Sequence, residues 1–351
     1  MLIYLHIPFC DSLCHYCAFN SYVDKFDLKP SYMHSCIKQL KSELSLFKPD
    51  KNSIKSLFIG GGTPSSIKTE LYIPFFDLIK PYLKDDAEIT TEANPNSATP
   101  LWLEGMKKMG VNRISFGVQS FDEKKLKFLG RNHNKTQAIK AITKASEVGF
   151  ENISLDLIYG TSMDTKELLI EDLKIAKSLP INHISAYSLT IEENTPFHKT
   201  PKVAVDSIEL ATFFTNLIEK SGFPQYEISN FGVYNSIHNL GYWEYDDYIG
   251  VGAGAVGFLK DRRFYPPKKI EGYIKNPTLK ETEFLKTREM HIEKIFLGLR
   301  SKIGVKLSEF NKKELENIET LTKSGKIEIK HNKIHNTNYL LSDEIALFIT
   351  N

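Results

Sequence analysis

Apolar, β-branched runs alternate along the chain with segments in which apolar residues recur every three or four positions, the rhythm of repeated strand–helix units. Six strands are predicted, near Leu2–Ile7, Ser56–Gly60, Ala87–Glu92, Arg113–Val118, Asn152–Ile158 and His183–Leu189. Helices are predicted at Pro30–Phe47, Glu70–Leu83, Pro100–Met109, Lys135–Val148, Thr165–Ser178 and Asp206–Ser221, several behind Asp, Ser, Thr or Pro start signals. Short connections and right-handed crossovers coil such units into a parallel, barrel-like α/β sheet. Six strands rather than eight predict an incomplete (β/α)6 barrel. Beyond it, Pro266–Lys286 reads as a polar connection. Helical patterns follow around Met290–Leu299 and Leu307–Lys323, then short β-like runs near Lys326–Ile329 and Lys333–Tyr339. The expected division is a barrel over 1–265 and a linker with a small C-terminal α+β domain over 266–351.

In parallel barrels reactive groups gather at the carboxyl ends of the strands, and the unusual polar residues fall there six times. The first strand runs into Cys10, Cys14 and Cys17, a C-x3-C-x2-C loop. Three thiolates suffice for three irons of a four-iron cluster and leave one iron without a protein ligand. An open iron can chelate the amino and carboxylate groups of a methionine-type ligand such as S-adenosylmethionine and pass an electron into its sulfonium bond; the product would be a carbon radical. A zinc knuckle is the competing reading, with His6 or His15 as fourth ligand, although structural zinc usually takes two paired ligand dyads. Cys36 falls among apolar positions of a predicted helix, where packing is its role.

After the second strand comes Gly60-Gly61-Gly62-Thr63-Pro64, whose bare backbone permits close approach to a bound amino-acid moiety. Glu92 ends strand three in Thr-Glu-Ala-Asn-Pro, Gln119 ends strand four, Asp156 lies in strand five, and strand six leads to Thr190. Carboxylates there suit ribose hydroxyls or an ammonium through charge-assisted bonds. Arg131 suits a carboxylate, against the alternative of a surface partner for Asp122 or Glu123. Tyr4 and His6, two apart on strand one, share a face. Phe9, Tyr16 and Phe19 would wall the cluster against water.

The cysteine spacing resembles the radical S-adenosylmethionine proteins, and Tyr4-x-His6-Ile-Pro-Phe-Cys10 narrows the likeness to the branch around oxygen-independent coproporphyrinogen III oxidase. The resemblance implies a [4Fe-4S] cluster on Cys10, Cys14 and Cys17. It implies S-adenosylmethionine contacts from Tyr4, Tyr16, Gly61, Gly62, Thr63, Glu92, Gln119, Arg131, Asp156 and Thr190, with Val256 near adenine. Two departures matter. The oxidases carry a further cysteine two residues after the third, where this chain has Phe19, and they have a longer N-terminal extension. A later segment, His238-Asn239-Leu240-Gly241-Tyr242-Trp243, resembles the H-N-x-x-Y-W signature of the HemW heme chaperones. His238 is then a candidate heme ligand with Tyr242 and Trp243 as flat apolar surface; the alternative is a structural turn whose aromatics fill a domain junction.

This likeness favours a protein that binds heme as cargo and delivers it to a recipient hemoprotein, drawing on an electron donor. Coproporphyrinogen III oxidation, with a porphyrinogen as substrate, is the alternative, and a zinc protein the outsider. Whether the chain is an enzyme stays open. The glycine run Gly250-Val-Gly252-Ala-Gly254 lacks the dinucleotide-binding pattern. A formal charge of +2 over 351 residues, without a long basic run, gives no reason to expect nucleic acid. Met1–Phe9 has neither the basic start nor the length of a signal or membrane segment. A cytoplasmic setting is expected, compatible with transient contact to a membrane protein.

Overall fold

The computed structural model describes residues 1–351. Strands β1 (Leu2–Ile7), β2 (Ile54–Gly61), β3 (Leu83–Ala93), β4 (Arg113–Gln119), β5 (Asn152–Tyr159) and β6 (His183–Ser188) lie side by side in chain order, all parallel. The strand period explains β1: Ile3, Leu5 and Ile7 join the main core with Cys36 and Leu40 of helix Lys29–Phe47, while Tyr4 and His6 take the other face. Helices on the outer face start where the sequence supplies caps. Thr99, Asn134, Thr165 and Ser207 each accept a backbone N–H of the first turn.

The sheet extends past the six strands at both sides. Strand β7 (Asn230–Gly232) pairs antiparallel with β6. On the other side β8 (Tyr248–Val251) pairs parallel with β1, and β9 (Gly257–Leu259), β10 (Arg262–Tyr265) and β11 (Glu281–Phe284) continue it antiparallel, making eleven strands in all. The glycine run thus forms β8 and the turn into β9. A Cβ on Gly250 would come within 2.1 Å of the Val256 carbonyl oxygen, so only glycine permits that turn.

A partial barrel with a C-terminal domain is the architecture, but two expected boundaries move. The helix expected over Glu70–Leu83 is broken into Ile73–Ile79 flanked by 3-10 turns, because Pro74 is tolerated in a first turn and Pro81 cannot continue a helix. Residues 266–285 are not a linker. They contribute helix Ile270–Lys275 and strand β11, and Ile270 and Tyr273 lie wholly inside the main core. Tyr273 donates its hydroxyl to Gln39 at 2.7 Å. Their apolar positions are too few to show a period within such a charged stretch. The separate C-terminal core begins with helix Thr287–Leu299, which packs with helices Lys312–Lys323 and Ser342–Thr350 and with the small sheet of β12 (Val305–Lys306), β13 (Ile327–Lys330) and β14 (Lys333–Asn336).

Tyr273→Ala should therefore destabilise the full chain by about 3–5 kcal/mol in urea unfolding, as expected for removal of a large buried aromatic ring. A loss below about 0.5 kcal/mol, the scale of a surface substitution, would restore the linker reading.

Candidate functional site

A cavity of about 640 Å³ opens at the carboxyl ends of β1 to β6. Its wall includes all three clustered cysteines, each unpaired and half-buried. The loop that carries them is pinned from outside the barrel: the His15 N–H donates to the Leu129 carbonyl at 3.0 Å, and His15 Nδ1 bonds the Phe128 carbonyl at 2.8 Å. The glycine run after β2 abuts this loop. A Cβ on Gly62 would stand 2.9 Å from Cys10 Sγ and from the Ile7 and Phe9 carbonyls, and Gly61 holds φ +111° with His6 2.5 Å from where its Cβ would be. Bare backbone is what lets β2 end against the thiols.

The donor set suits a cluster better than a single ion. No group of three or more His, Cys, Asp or Glu side chains converges on a one-ion site. The histidines proposed to complete a zinc set are engaged elsewhere, His6 Nε2 with the Asn20 carbonyl at 2.8 Å and His15 as above. A four-iron cluster spreads its irons over the corners of a cube and takes one thiolate at each, which fits three sulfurs facing one cavity. Burial pushes the Cys10 and Cys17 thiols up, Cys17 to about 11.

Opposite the thiols lies an acidic floor. Glu92 accepts the Gly61 N–H at 3.0 Å, and Asp156 accepts the Ser115 hydroxyl at 3.2 Å. Burial, with the charge of Asp156 added, raises the Glu92 carboxyl to about 8; burial also raises Asp156, against the hydroxyls of Ser185 and Ser115. Glu92 thus carries its proton at neutral pH until a cation or a hydroxyl donor arrives. Arg131 is the only arginine or lysine in the wall. It donates to Cys14 Sγ at 3.1 Å, Asn94 at 2.7 Å and the Gly117 carbonyl at 2.6 Å, while its Nε is buried without a partner. Burial opposes its charge, but Tyr16 and Cys14 more than offset this and keep it protonated. A ligand carrying an ammonium, a carboxylate and ribose hydroxyls would meet a complementary charge at each end.

Tyr16, Gly61, Gly62, Thr63, Glu92, Gln119, Arg131, Asp156 and Thr190 all line this cavity. Tyr4 and Val256 do not; both face a second cavity. The Tyr4 hydroxyl bonds His6 Nδ1 at 3.0 Å. Val256 lies in the turn between β8 and β9 and lines that second cavity. Asn94, which bridges Arg131 and Thr63, was not singled out among the sequence candidates; its place in Thr-Glu-Ala-Asn-Pro was the signal. Tyr187 also lines the wall and was not foreseen.

The heme-type signature forms helix Ile237–Trp243, which packs on β2 at the amino-terminal side of the barrel. Its N–H groups at Ile237 and His238, the Ser236 hydroxyl and the Tyr234 hydroxyl all donate to the buried Glu88 carboxylate at 2.8–3.1 Å. His238 is 1% exposed and bonds Ser56 Oγ through Nδ1 at 2.8 Å, leaving Nε2 buried and unpartnered. Burial, helped by the charge of Arg113, pulls its imidazole down to about 3, so the ring is neutral. His238 is therefore no surface ligand here. Tyr242 packs edge-on against it, 4.8 Å between ring centroids, and Trp243 is partly exposed.

The Radical SAM superfamily model matches residues 4–176. The chain is 36% identical over 329 residues to the heme chaperone HemW of Bacillus subtilis, covering 88% of this chain and 86% of that one. It is 39% identical over 263 residues to HemW of Escherichia coli, 73% and 69% of the two chains. HemW of Mycobacterium tuberculosis is 31% identical over 364 residues, 98% and 93%. Among solved structures, the coproporphyrinogen III oxidase HemN of Escherichia coli superposes with a TM-score of 0.82 at 19% identity, over 100% of this chain and 90% of that one, a likeness of fold.

A carboxyl whose folded pKa of about 8 stands above its ordinary 4.5 favours the fold most below pH 4.5 and withdraws that favour as pH climbs through about 8. Ligand-free Glu92→Gln should therefore melt higher than the parent at pH 8.5, the two converging near pH 4.5. Equal melting temperatures at pH 8.5 would show that Glu92 is not held protonated by the fold.

Proposed function

The chain belongs to the HemW family within the radical SAM superfamily, and from that footing we propose that it binds heme and hands it to a recipient hemoprotein. The single observation that carries this over coproporphyrinogen oxidation is the identity to HemW relatives along most of the chain. Position 19 supports the same reading. Phe19 stands on the cavity rim, 66% exposed, where the resembled oxidases have a cysteine. It has no thiol to offer the reaction.

The family's cofactors are a [4Fe-4S] cluster and S-adenosylmethionine, whose reductive cleavage supplies a carbon radical when both are bound. Cys10, Cys14 and Cys17 would hold the cluster. Arg131, with its free Nε, would take the carboxylate of S-adenosylmethionine; Glu92 and Asp156 would meet its cationic and hydroxyl groups, Glu92 giving up its proton as it does so. Gln119, held at φ +70°, would present its amide to the same ligand. Thr63 donates to Cys10 Sγ at 3.4 Å and so steadies the loop's first thiol. No helix is long and apolar enough to cross a membrane. A cytoplasmic setting, an electron donor and a recipient reached at a membrane surface belong to the same proposal.

Anaerobic reconstitution should give about four irons per chain, and Cys14→Ala should lose the charge-transfer absorption. The reconstituted protein should bind ferric heme with a shifted Soret band and transfer it to a heme-free recipient. It should yield no protoporphyrinogen from coproporphyrinogen III with reductant and S-adenosylmethionine. Clear turnover in that assay would overturn the chaperone reading in favour of the oxidase.

A further inference from the structure

Behind the signature helix lies a second cavity of about 420 Å³, separate from the cysteine cavity and within the size range of small-molecule clefts. Its walls are aromatic. Tyr242 from the signature helix meets Tyr248 of β8 edge-on at 4.8 Å, and Phe258 of β9 meets Tyr245 at 4.9 Å and Tyr248 at 5.9 Å. Leu297, from the first helix of the C-terminal domain, adds an apolar side chain. Rings set at these angles present both edges and faces, a lining suited to a broad flat ligand.

One cation stands in this wall, Arg263 of β10. It is occupied by an internal carboxylate: Glu293, on the same C-terminal helix as Leu297, accepts from the Arg263 guanidinium at 2.6 Å and from the Tyr245 hydroxyl at 2.6 Å. The pair is only partly buried, with side chains 26% and 31% exposed, so a ligand carboxylate can reach it from solvent. Asp246, the one acid in the wall, is bound by Lys55 at 2.8 Å. Lys294 lies over the Tyr245 ring at 5.7 Å and adds positive charge on the same side. Beyond Tyr242 waits the His238 ring with its unpartnered Nε2, one ring deep behind the wall.

We propose that this cavity seats a planar tetrapyrrole by its carboxylate-bearing edge, Arg263 exchanging Glu293 for a propionate of the ligand. The proposal rests on the heme-binding reading above and goes beyond it by naming the anchor and the latch. The exchange ties occupancy to the C-terminal domain, since the displaced carboxylate belongs to its first helix. A guanidinium suits this role because it holds a carboxylate through two parallel donors. The macrocycle would lie among Tyr242, Tyr245, Tyr248 and Phe258.

The test uses the full-length, cluster-reconstituted protein titrated with ferric heme and, separately, with heme dimethyl ester, whose propionates are blocked. Arg263→Gln should weaken heme binding about tenfold, the scale of one lost charge-assisted bond, and leave the dimethyl ester unchanged. Glu293→Gln should move the other way and tighten heme binding, because the anchor is no longer contested. A merely structural defect would not tighten it. If the parent binds heme while both variants match it, the anchor and latch are wrong and the chaperone reading stands. If the parent binds no heme at all, the chaperone reading falls and this inference with it.

Discussion

The steric emptiness of Gly61 and Gly62 is the constraint on which the rest of the site depends. Parallel pairing brings Ile7 of β1 opposite Gly61 of β2, and the Gly62 N–H then donates to the Ile7 carbonyl at 2.7 Å. That bond carries the chain end of β2 directly under the cysteine loop. Any Cβ at Gly62 would meet Cys10 Sγ and two backbone oxygens within 2.9 Å, and backbone oxygens cannot swing aside as the tip of a long side chain does. The same backbone supplies the N–H that holds Glu92. Thiols, glycine backbone and acidic floor are thus spaced by one ladder of main-chain bonds and not by side chains reaching across a void.

The opposite end of the barrel is closed by buried polar networks, in which Arg113 Nε and His238 Nε2 lack a partner. Glu88 gathers four donors from the segment 234–238, and beside it Arg113, His183, Ser154 and Tyr226 form a second chain of contacts. Removing one partner from such a network strands the others without water. This explains why the signature helix is fixed so firmly although it is only seven residues long. It also explains the position of His238: its ring fills the base of the barrel against Phe58 and Tyr242, and its backbone serves the Glu88 cap.

How much of this was legible in the sequence follows from the range of the forces involved. The six parallel strands could be read because each buried strand is a local apolar run, and β1 spans Leu2–Ile7 as expected. The cysteine cavity was legible for the same reason, since reactive groups at the ends of parallel strands converge whatever the helices do. The cavity that Val256 lines was not legible, because its position depends on a hairpin, β8 to β9, whose turn is set by a close approach at Gly250. Tyr273 was invisible because its burial is bought by Gln39, 234 residues away. The signature histidine carried a chemical type that sequence can name, but whether its nitrogen faces solvent or Ser56 is a tertiary fact.

The two halves of the upper site are joined through one buried cation. Lys125 is wholly buried and donates to Asp164 at 2.5 Å and to the Ile158 carbonyl at 2.6 Å, with Asp172 at 4.0 Å. Asp172 in turn accepts the Ser120 hydroxyl and the Phe121 N–H, at 2.7 and 2.6 Å, immediately after Gln119. Gln119 sits at φ +70°, a left-handed conformation that a residue with a side chain keeps only when its surroundings enforce it. The enforcement comes from this clamp. The helix that carries Lys125, Glu123–Phe128, ends at the carbonyls that hold His15 in the cysteine loop. A buried charge left alone would be strongly destabilising, so the triad keeps this helix seated. With it seated, the cysteine loop and the strand ends that face it stay in register across the cavity.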